Sequence, residues 1–253
     1  MNISFFKPSL LRLYAGLLLC VACAAALTPR MPAVTASGRA RTVYLTFDDG
    51  PSAITAKVLD ILLDEQVPAT FFVIGAETEY GLGLYNRMVE EGHSLGLHTY
   101  THDVARIYHS LEGYTRDFEA LAAWVTETTG ISPRICRMVG GSYTRNCPAV
   151  LREQILTYLV GQGYSCYDWD IDPRDSVGYA VPAWRIVQSV ITDAAKNPNQ
   201  DLIILLHDDG MRTTLPDALR EIIAYFRGEG YRFDALREDT ESAKRILPKN
   251  HVK

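Results

Sequence analysis

The sequence has few cysteines outside its N-terminal region and no large excess of charge of either sign. Its 253 residues carry a formal net charge of -5 and five cysteines. Such a chain lacks the basic surface that attracts nucleic acid, so we expect no nucleic-acid partner. It also lacks fixed-period repeats and low-complexity tracts, which argues against a solenoid or a disordered protein. No Cys-x-x-Cys spacing follows residue 30, which argues against a structural zinc site.

A long apolar run occurs at the N-terminus, where Lys7 and Arg12 precede about 15 apolar residues that end in small ones. This pattern predicts an export signal over residues 1–27 and a secreted or cell-envelope protein. The run is shorter than the roughly 20 residues that span a bilayer. A retained signal-anchor is the alternative, and it would be the only membrane contact. We expect a flexible tether over residues 28–40, one folded domain over 41–240 and a C-terminal tail over 241–253.

Three cysteines lie beyond the predicted signal, and export would place them in an oxidising compartment. An odd number allows at most one internal bridge. Cys136 with Cys147 would close a short loop, whereas Cys136 with Cys166 would join two predicted strands. The sequence does not choose between these pairs.

Short apolar runs alternate with helical patterns along the rest of the chain. This alternation predicts βαβ units, a parallel sheet and right-handed crossovers. Polar residues repeatedly follow the ends of the predicted strands, where a (β/α) barrel or an open α/β sheet places its active site. Because these residues follow five strands spread around the domain, we predict an α/β fold in the form of a distorted (β/α) barrel.

Two polar stretches indicate a metal-dependent site. Asp48 and Asp49 end an apolar strand, and side chains adjacent on extended backbone point opposite ways, so the two carboxylates are suited to different roles. His98 and His102 are four residues apart, which on a helical turn would place both rings on one face. With Asp49 they form a two-histidine, one-carboxylate set that leaves coordination positions open for water and substrate. Several divalent metals fit such ligands.

These stretches, with three later ones in the same order, resemble the motifs of the NodB-homology polysaccharide deacetylases, carbohydrate esterase family 4. The resemblance covers about residues 42–236. It implies that the predicted distorted (β/α) barrel is of the type found in that family. The five motifs are Thr46-Phe-Asp-Asp-Gly-Pro51, His98-Thr-Tyr-Thr-His102, Arg137 with Gly140-Gly-Ser142, Asp168-Trp-Asp-Ile-Asp-Pro-Arg-Asp175, and Leu205-Leu-His207.

The resemblance implies a role for each matching residue. Asp49, His98 and His102 would bind the metal, with Zn2+ first and Co2+ or another divalent ion as alternatives. Asp48 would be the general base and His207 the general acid, oriented by Arg137 and Asp175 respectively. From the residues alone, Asp172 can take the place of Asp175. Ser142, Tyr143 and Leu205 would line the substrate site.

The resemblance implies a metal-dependent N-deacetylase of polysaccharides that contain N-acetylglucosamine. The N-terminal segment predicts that it is exported, and we expect a monomer. Peptidoglycan comes first among the expected substrates, followed by chitin-type oligomers and exopolysaccharide. An O-acetyl esterase and a catalytically silent wall-binding protein are the alternatives. Many family members have Pro-Tyr after the motif-three arginine and Trp after the motif-four aspartate, where this chain has Met138-Val139 and Ser176. The acceptor glycan therefore stays open.

Overall fold

The structure, a computed structural model, describes residues 40–241 and 244–246. The predicted signal and all but the last residue of the predicted tether lie outside these ranges. The strands within them are β1 (Thr42–Asp48), β2 (Thr70–Val73), β3 (Ser94–Leu97), β4 (Ile135–Cys136), β5 (Ser165–Tyr167), β6 (Leu202–His207), β7 (Arg232–Phe233) and β8 (Arg245–Ile246). The helices are α1 (Ala53–Glu65), α2 (Glu79–Glu90), α3 (Val104–Ile107), α4 (Leu111–Thr129), α5 (Ala149–Gly161), α6 (Ala183–Ala194) and α7 (Leu215–Gly228).

The central sheet is a distorted barrel whose two sides are joined by an isolated bridge and not by paired strands. Parallel strands follow one another in the order β6-β1-β2-β3-β4-β5. Just after β5, Ile171 pairs in parallel with Ile204 of β6, which returns the sheet to its first strand. Because a single bridge rather than a full strand makes this closure, the barrel is irregular there. The predicted distorted (β/α) barrel is confirmed.

Two short strands extend the sheet beyond the barrel. β7 pairs with the beginning of β1, and β8 runs antiparallel to β5 through the pair Cys166 and Ile246. Residues 245–246 fall in the segment that the sequence assigns to a tail. The sheet therefore continues past the predicted domain end at residue 240.

The alternation of side chains along β1 places one row inside the barrel and the other against the helices. Val43, Leu45 and Phe47 belong to the main core between sheet and helices. The inner row begins with Tyr44, which packs in a smaller cluster inside the barrel with Phe72, Ile135, Tyr167, Ile203 and Leu236. By the same alternation the inner row ends in Asp48, at the carboxyl end of the barrel.

Local capping sets the ends of the helices that flank the site. The Ser52 hydroxyl accepts a hydrogen bond from the Ile54 N–H, and the Thr55 hydroxyl accepts one from the Ser52 backbone N–H. This capping box starts α1 shortly after the aspartate pair. α4 ends at Thr129, and the following Gly130 caps it with a φ of 72°. No helix within the described ranges is both long and apolar enough to cross a bilayer.

Candidate active site

Asp48 and Asp49 both lie at the mouth of the barrel. Asp48 ends β1, but Asp49 has a φ of 75°, so the extended backbone assumed for the pair is wrong. Instead of pointing to opposite sides, the two carboxylates both approach His98: Asp48 Oδ2 lies 3.7 Å and Asp49 Oδ1 3.4 Å from its Nε2. The residue after this pair, Gly50, has to be a glycine, because a Cβ at this position would overlap the buried Asp208 carboxylate.

The two histidines lie on a loop between β3 and α3. Thr99 and His102 have φ values of 73° and 53°, so the predicted helical turn is wrong. The loop nevertheless brings the rings together, with centroids 5.3 Å apart, and places His102 Nε2 3.1 Å from Asp49 Oδ1. Their proximity comes from this loop conformation and not from helical periodicity.

The donor set of Asp49, His98 and His102 fits a divalent cation. One ligand atom from each residue lies within 4.8 Å of the others. Asp49 Oδ1 is buried without a hydrogen bond of normal geometry, although an imidazole nitrogen is near it. His98 Nδ1 contacts the Arg137 carbonyl oxygen at 2.8 Å, which orients Nε2 toward the carboxylates. An ion there would satisfy the orphaned oxygen.

Burial and the charges within the donor set shift the pKa values of all three of its members. Burial lowers the pKa of His98, which favours the neutral imidazole. Burial alone would raise the pKa of Asp49, but the close contact with His102 and the charges of His98 and His102 outweigh it and lower that pKa. Asp49 is therefore a carboxylate and His98 a neutral imidazole. Burial alone would lower the pKa of His102, but its contact with Asp49 and the charges of Asp49 and Asp48 raise it, so a metal would replace a proton on this ring.

Asp48 is oriented from inside the barrel by Arg137. The guanidinium is fully buried, and its Nη1 donates to Asp48 Oδ1 at 2.7 Å and to Thr46 Oγ1 at 2.8 Å. Its Nε donates to the Tyr167 carbonyl oxygen at 3.0 Å, and its Cζ lies 4.1 Å from the centre of the Phe72 ring. These contacts hold Arg137 rigidly, so the Asp48 carboxylate has one fixed direction.

His207 stands beside Asp48, because β6 and β1 are paired with these two residues in register. Asp175 accepts from the His207 backbone N–H and contacts its Nδ1, both at 2.8 Å. Burial alone would lower the pKa of His207, but Asp175, Asp48 and Asp49 raise it to about 9. Asp172 instead accepts from the Arg174 backbone N–H, so Asp175 is the carboxylate that contacts His207.

The three residues expected to line the substrate site differ in exposure. The Ser142 hydroxyl and backbone N–H both donate to Asp168, at 2.5 and 2.9 Å, so this serine shapes its own loop. Tyr143 is 83% exposed, whereas Leu205 is 4% exposed and lies on the same strand face as His207. Of these three residues, Tyr143 has the largest exposed surface for contact with a polysaccharide.

Sequence reasoning missed Asp117, a buried residue in the middle of α4. Its Oδ1 accepts from the backbone N–H groups of Tyr100 and Thr101, at 2.6 and 3.0 Å, and its Oδ2 accepts from the Thr101 hydroxyl at 2.7 Å. It therefore fixes the loop that carries both histidines. The available signal was a carboxylate on the apolar face of a helix, between Tyr114 and Phe118.

Comparison with known proteins agrees with this geometry. A family model described as polysaccharide deacetylase matches residues 35–159. A peptidoglycan-N-acetylglucosamine deacetylase from Bacillus cereus is 34% identical over 209 residues, 81% of this chain and 72% of the relative. A chitooligosaccharide deacetylase from Sinorhizobium fredii is 35% identical over 218 residues, 84% and 93% of the two chains.

Solved structures show the same fold. The catalytic domain of peptidoglycan N-acetylglucosamine deacetylase from Eubacterium rectale superposes with a TM-score of 0.76 at 26% identity, covering 85% of this chain and 97% of that one. A polysaccharide deacetylase from Bacillus cereus gives a TM-score of 0.70 at 31% identity, covering 81% and 97%. The chain belongs to the polysaccharide deacetylase family. The predicted family and the predicted enzyme class, a hydrolase of N-acetyl amide bonds, are confirmed.

Proposed function

We propose that the protein is a zinc-dependent N-deacetylase that hydrolyses the acetamido group of N-acetylglucosamine units in a polysaccharide. The observation that carries this proposal is that a set of metal ligands and two catalytic side chains, each oriented by a charged partner, lie together at the mouth of the barrel. They are the Asp49–His98–His102 donor set, Asp48 held by Arg137, and His207 held by Asp175. Deacetylation requires an activated water, a polarised acetyl carbonyl and a proton for the leaving amine, and these groups suit those tasks.

Asp49, His98 and His102 would hold a divalent ion, which would supply a Lewis acid for the acetyl oxygen and lower the pKa of water. Asp48, fixed by Arg137, accepts the proton from the attacking water. His207 donates a proton to the departing nitrogen, and Asp175 favours the protonated imidazole that this step needs. Asp48 and His207 therefore act as general base and general acid from neighbouring strands.

Peptidoglycan is the first substrate in this proposal, followed by chitin-type oligomers and exopolysaccharide. The support is the naming of relatives as peptidoglycan-N-acetylglucosamine and chitooligosaccharide deacetylases. The exposed Tyr143 offers a ring face against which a sugar can pack. We further propose export through the N-terminal segment and action as a monomer, to be tested by cell fractionation and light scattering.

Acetate release from peptidoglycan, chitooligosaccharide and acetylated xylan tests the reaction. We expect release from the first two, loss of activity with a chelator, and recovery on addition of Zn2+ or Co2+. Release from acetylated xylan alone would identify an O-acetyl esterase. Binding of glycan and metal without acetate release from any polymer would identify a silent wall-binding protein.

A further inference from the structure

Cys136 and Cys166 face each other across two neighbouring strands. They are register partners of the parallel strands β4 and β5, and their Sγ atoms lie 2.9 Å apart. Neighbouring strands are about 4.8 Å apart. This spacing falls within the Cα separation of about 4.4–6.8 Å that a disulfide spans. Cys147, in contrast, directs its Sγ toward the Pro148 carbonyl oxygen at 3.7 Å.

We propose that Cys136 and Cys166 form a disulfide bond in the mature protein. The two thiols lose two protons and two electrons as the Sγ–Sγ bond forms, and a disulfide oxidant such as oxidised glutathione takes up both and becomes two thiols. Cys147 keeps its thiol. This choice resolves the two pairings that the sequence leaves open, and it does not depend on the deacetylase activity.

The bridge would lie directly beside the support of the catalytic base. Cys136 precedes Arg137 and Cys166 precedes Tyr167, and the Arg137 Nε donates to the Tyr167 carbonyl oxygen at 3.0 Å. Cys136 and Cys166 belong to the core between sheet and helices, on the opposite face from the inner cluster that contains Ile135 and Tyr167. A bond there would clamp β4 to β5 without entering the active site.

The surroundings of the pair determine when the bond forms. Both cysteines are almost completely buried, so an oxidant cannot reach them in the folded protein. Burial and the neighbouring Cys166 also raise the pKa of Cys136, which disfavours the reactive thiolate. We therefore expect the bond to form during folding, and folded reduced protein to oxidise slowly.

Peptide mapping tests the pairing, because trypsin separates the three cysteines beyond residue 30 into peptides 135–137, 146–152 and 153–174. The full chain is refolded with oxidised and reduced glutathione, free thiols are alkylated in denaturant, and the digest is analysed by mass spectrometry. We expect peptide 135–137 linked to 153–174, with 146–152 alkylated. Complete alkylation of 135–137, or its linkage to 146–152, would overturn the proposal.

A stability comparison tests the role of the bond without relying on one variant. Reduction with a phosphine in denaturant, followed by refolding in its presence, should lower the thermal midpoint of the wild type and of Cys147→Ala, the matched control. It should leave unchanged the midpoint of the double variant Cys136→Ala/Cys166→Ala. If full reduction leaves the wild-type midpoint unchanged, or shifts the double variant as much as the wild type, the bond does not clamp β4 to β5.

Discussion

The two halves of the active site are supported from different parts of the molecule. The proton-transfer half consists of Asp48 and His207, at the ends of paired strands, and the buried Arg137 inside the barrel orients Asp48. The metal-binding half places His98 at the start and His102 at the end of a loop, which Asp117 holds from an outer helix. The barrel thus fixes the groups that move protons, and the helical layer fixes the loop between the two histidine ligands.

This difference predicts that variants in the two halves fail in different ways. Changes near Asp48 should affect turnover or folding and leave metal affinity intact. Changes near the histidine loop should weaken metal binding first.

The largest effect is expected for Asp48→Asn, which removes the proposed base without changing its size. General-base catalysis contributes roughly 10²–10⁴-fold, so kcat should fall by that range. Steady-state acetate release at saturating Zn2+ measures it, and circular dichroism checks the fold. A kcat within a few-fold of wild type would mean that another group accepts the proton.

Arg137→Met should destabilise the fold strongly, because it leaves the buried Asp48 carboxylate without its partner. Breaking a buried ion pair in this way costs about 3–5 kcal/mol. Urea unfolding measures the change, and the double variant Arg137→Met/Asp48→Asn should regain part of the loss. Equal stability of the single and double variants would show that Asp48 is not the group left unpaired.

Asp117→Asn should weaken metal binding, because an amide cannot accept all three hydrogen bonds from the histidine loop. Loss of residues that support metal ligands typically costs 10–100-fold in affinity, so we expect a loss of about that size. Competition with a chromophoric chelator measures the Zn2+ affinity. The control is Asp103→Asn, an exposed helix cap next to the same loop, whose affinity should match wild type. Equal Zn2+ affinities of the wild type and both variants would show that Asp117 does not support the metal site.

The smallest of these effects is expected for Asp175→Asn, which removes the main group that raises the pKa of His207 to about 9. The acid form of His207 is needed, so wild-type activity should fall as pH rises through this value. In the variant the pKa is lower and the basic limb of the kcat profile should move to lower pH. Asp172→Asn, whose carboxylate caps a turn, is the control and should leave the limb in place.

Much of this arrangement could be predicted from the sequence, because strand ends of a parallel barrel meet at one edge. The apolar run before Asp48 and the one before His207 were sufficient to place both residues there. The structure supplied what the spacing could not. His98 and His102 come together through left-handed residues, which a helical period does not describe. Asp117 contacts this loop from 16 or 17 positions away in the chain. The carboxylate on the apolar face of α4 indicates that Asp117 is buried with partners, but nothing in the local sequence identifies the loop that supplies them.

The central claim is that Asp48 and Asp49, although adjacent, serve different halves of the site. Zn2+ titration of Asp48→Asn and Asp49→Asn by calorimetry tests it most directly. We expect Asp48→Asn to bind one equivalent with the affinity of the wild type, and Asp49→Asn to bind much more weakly. Equal affinities of the two variants would contradict the division of roles.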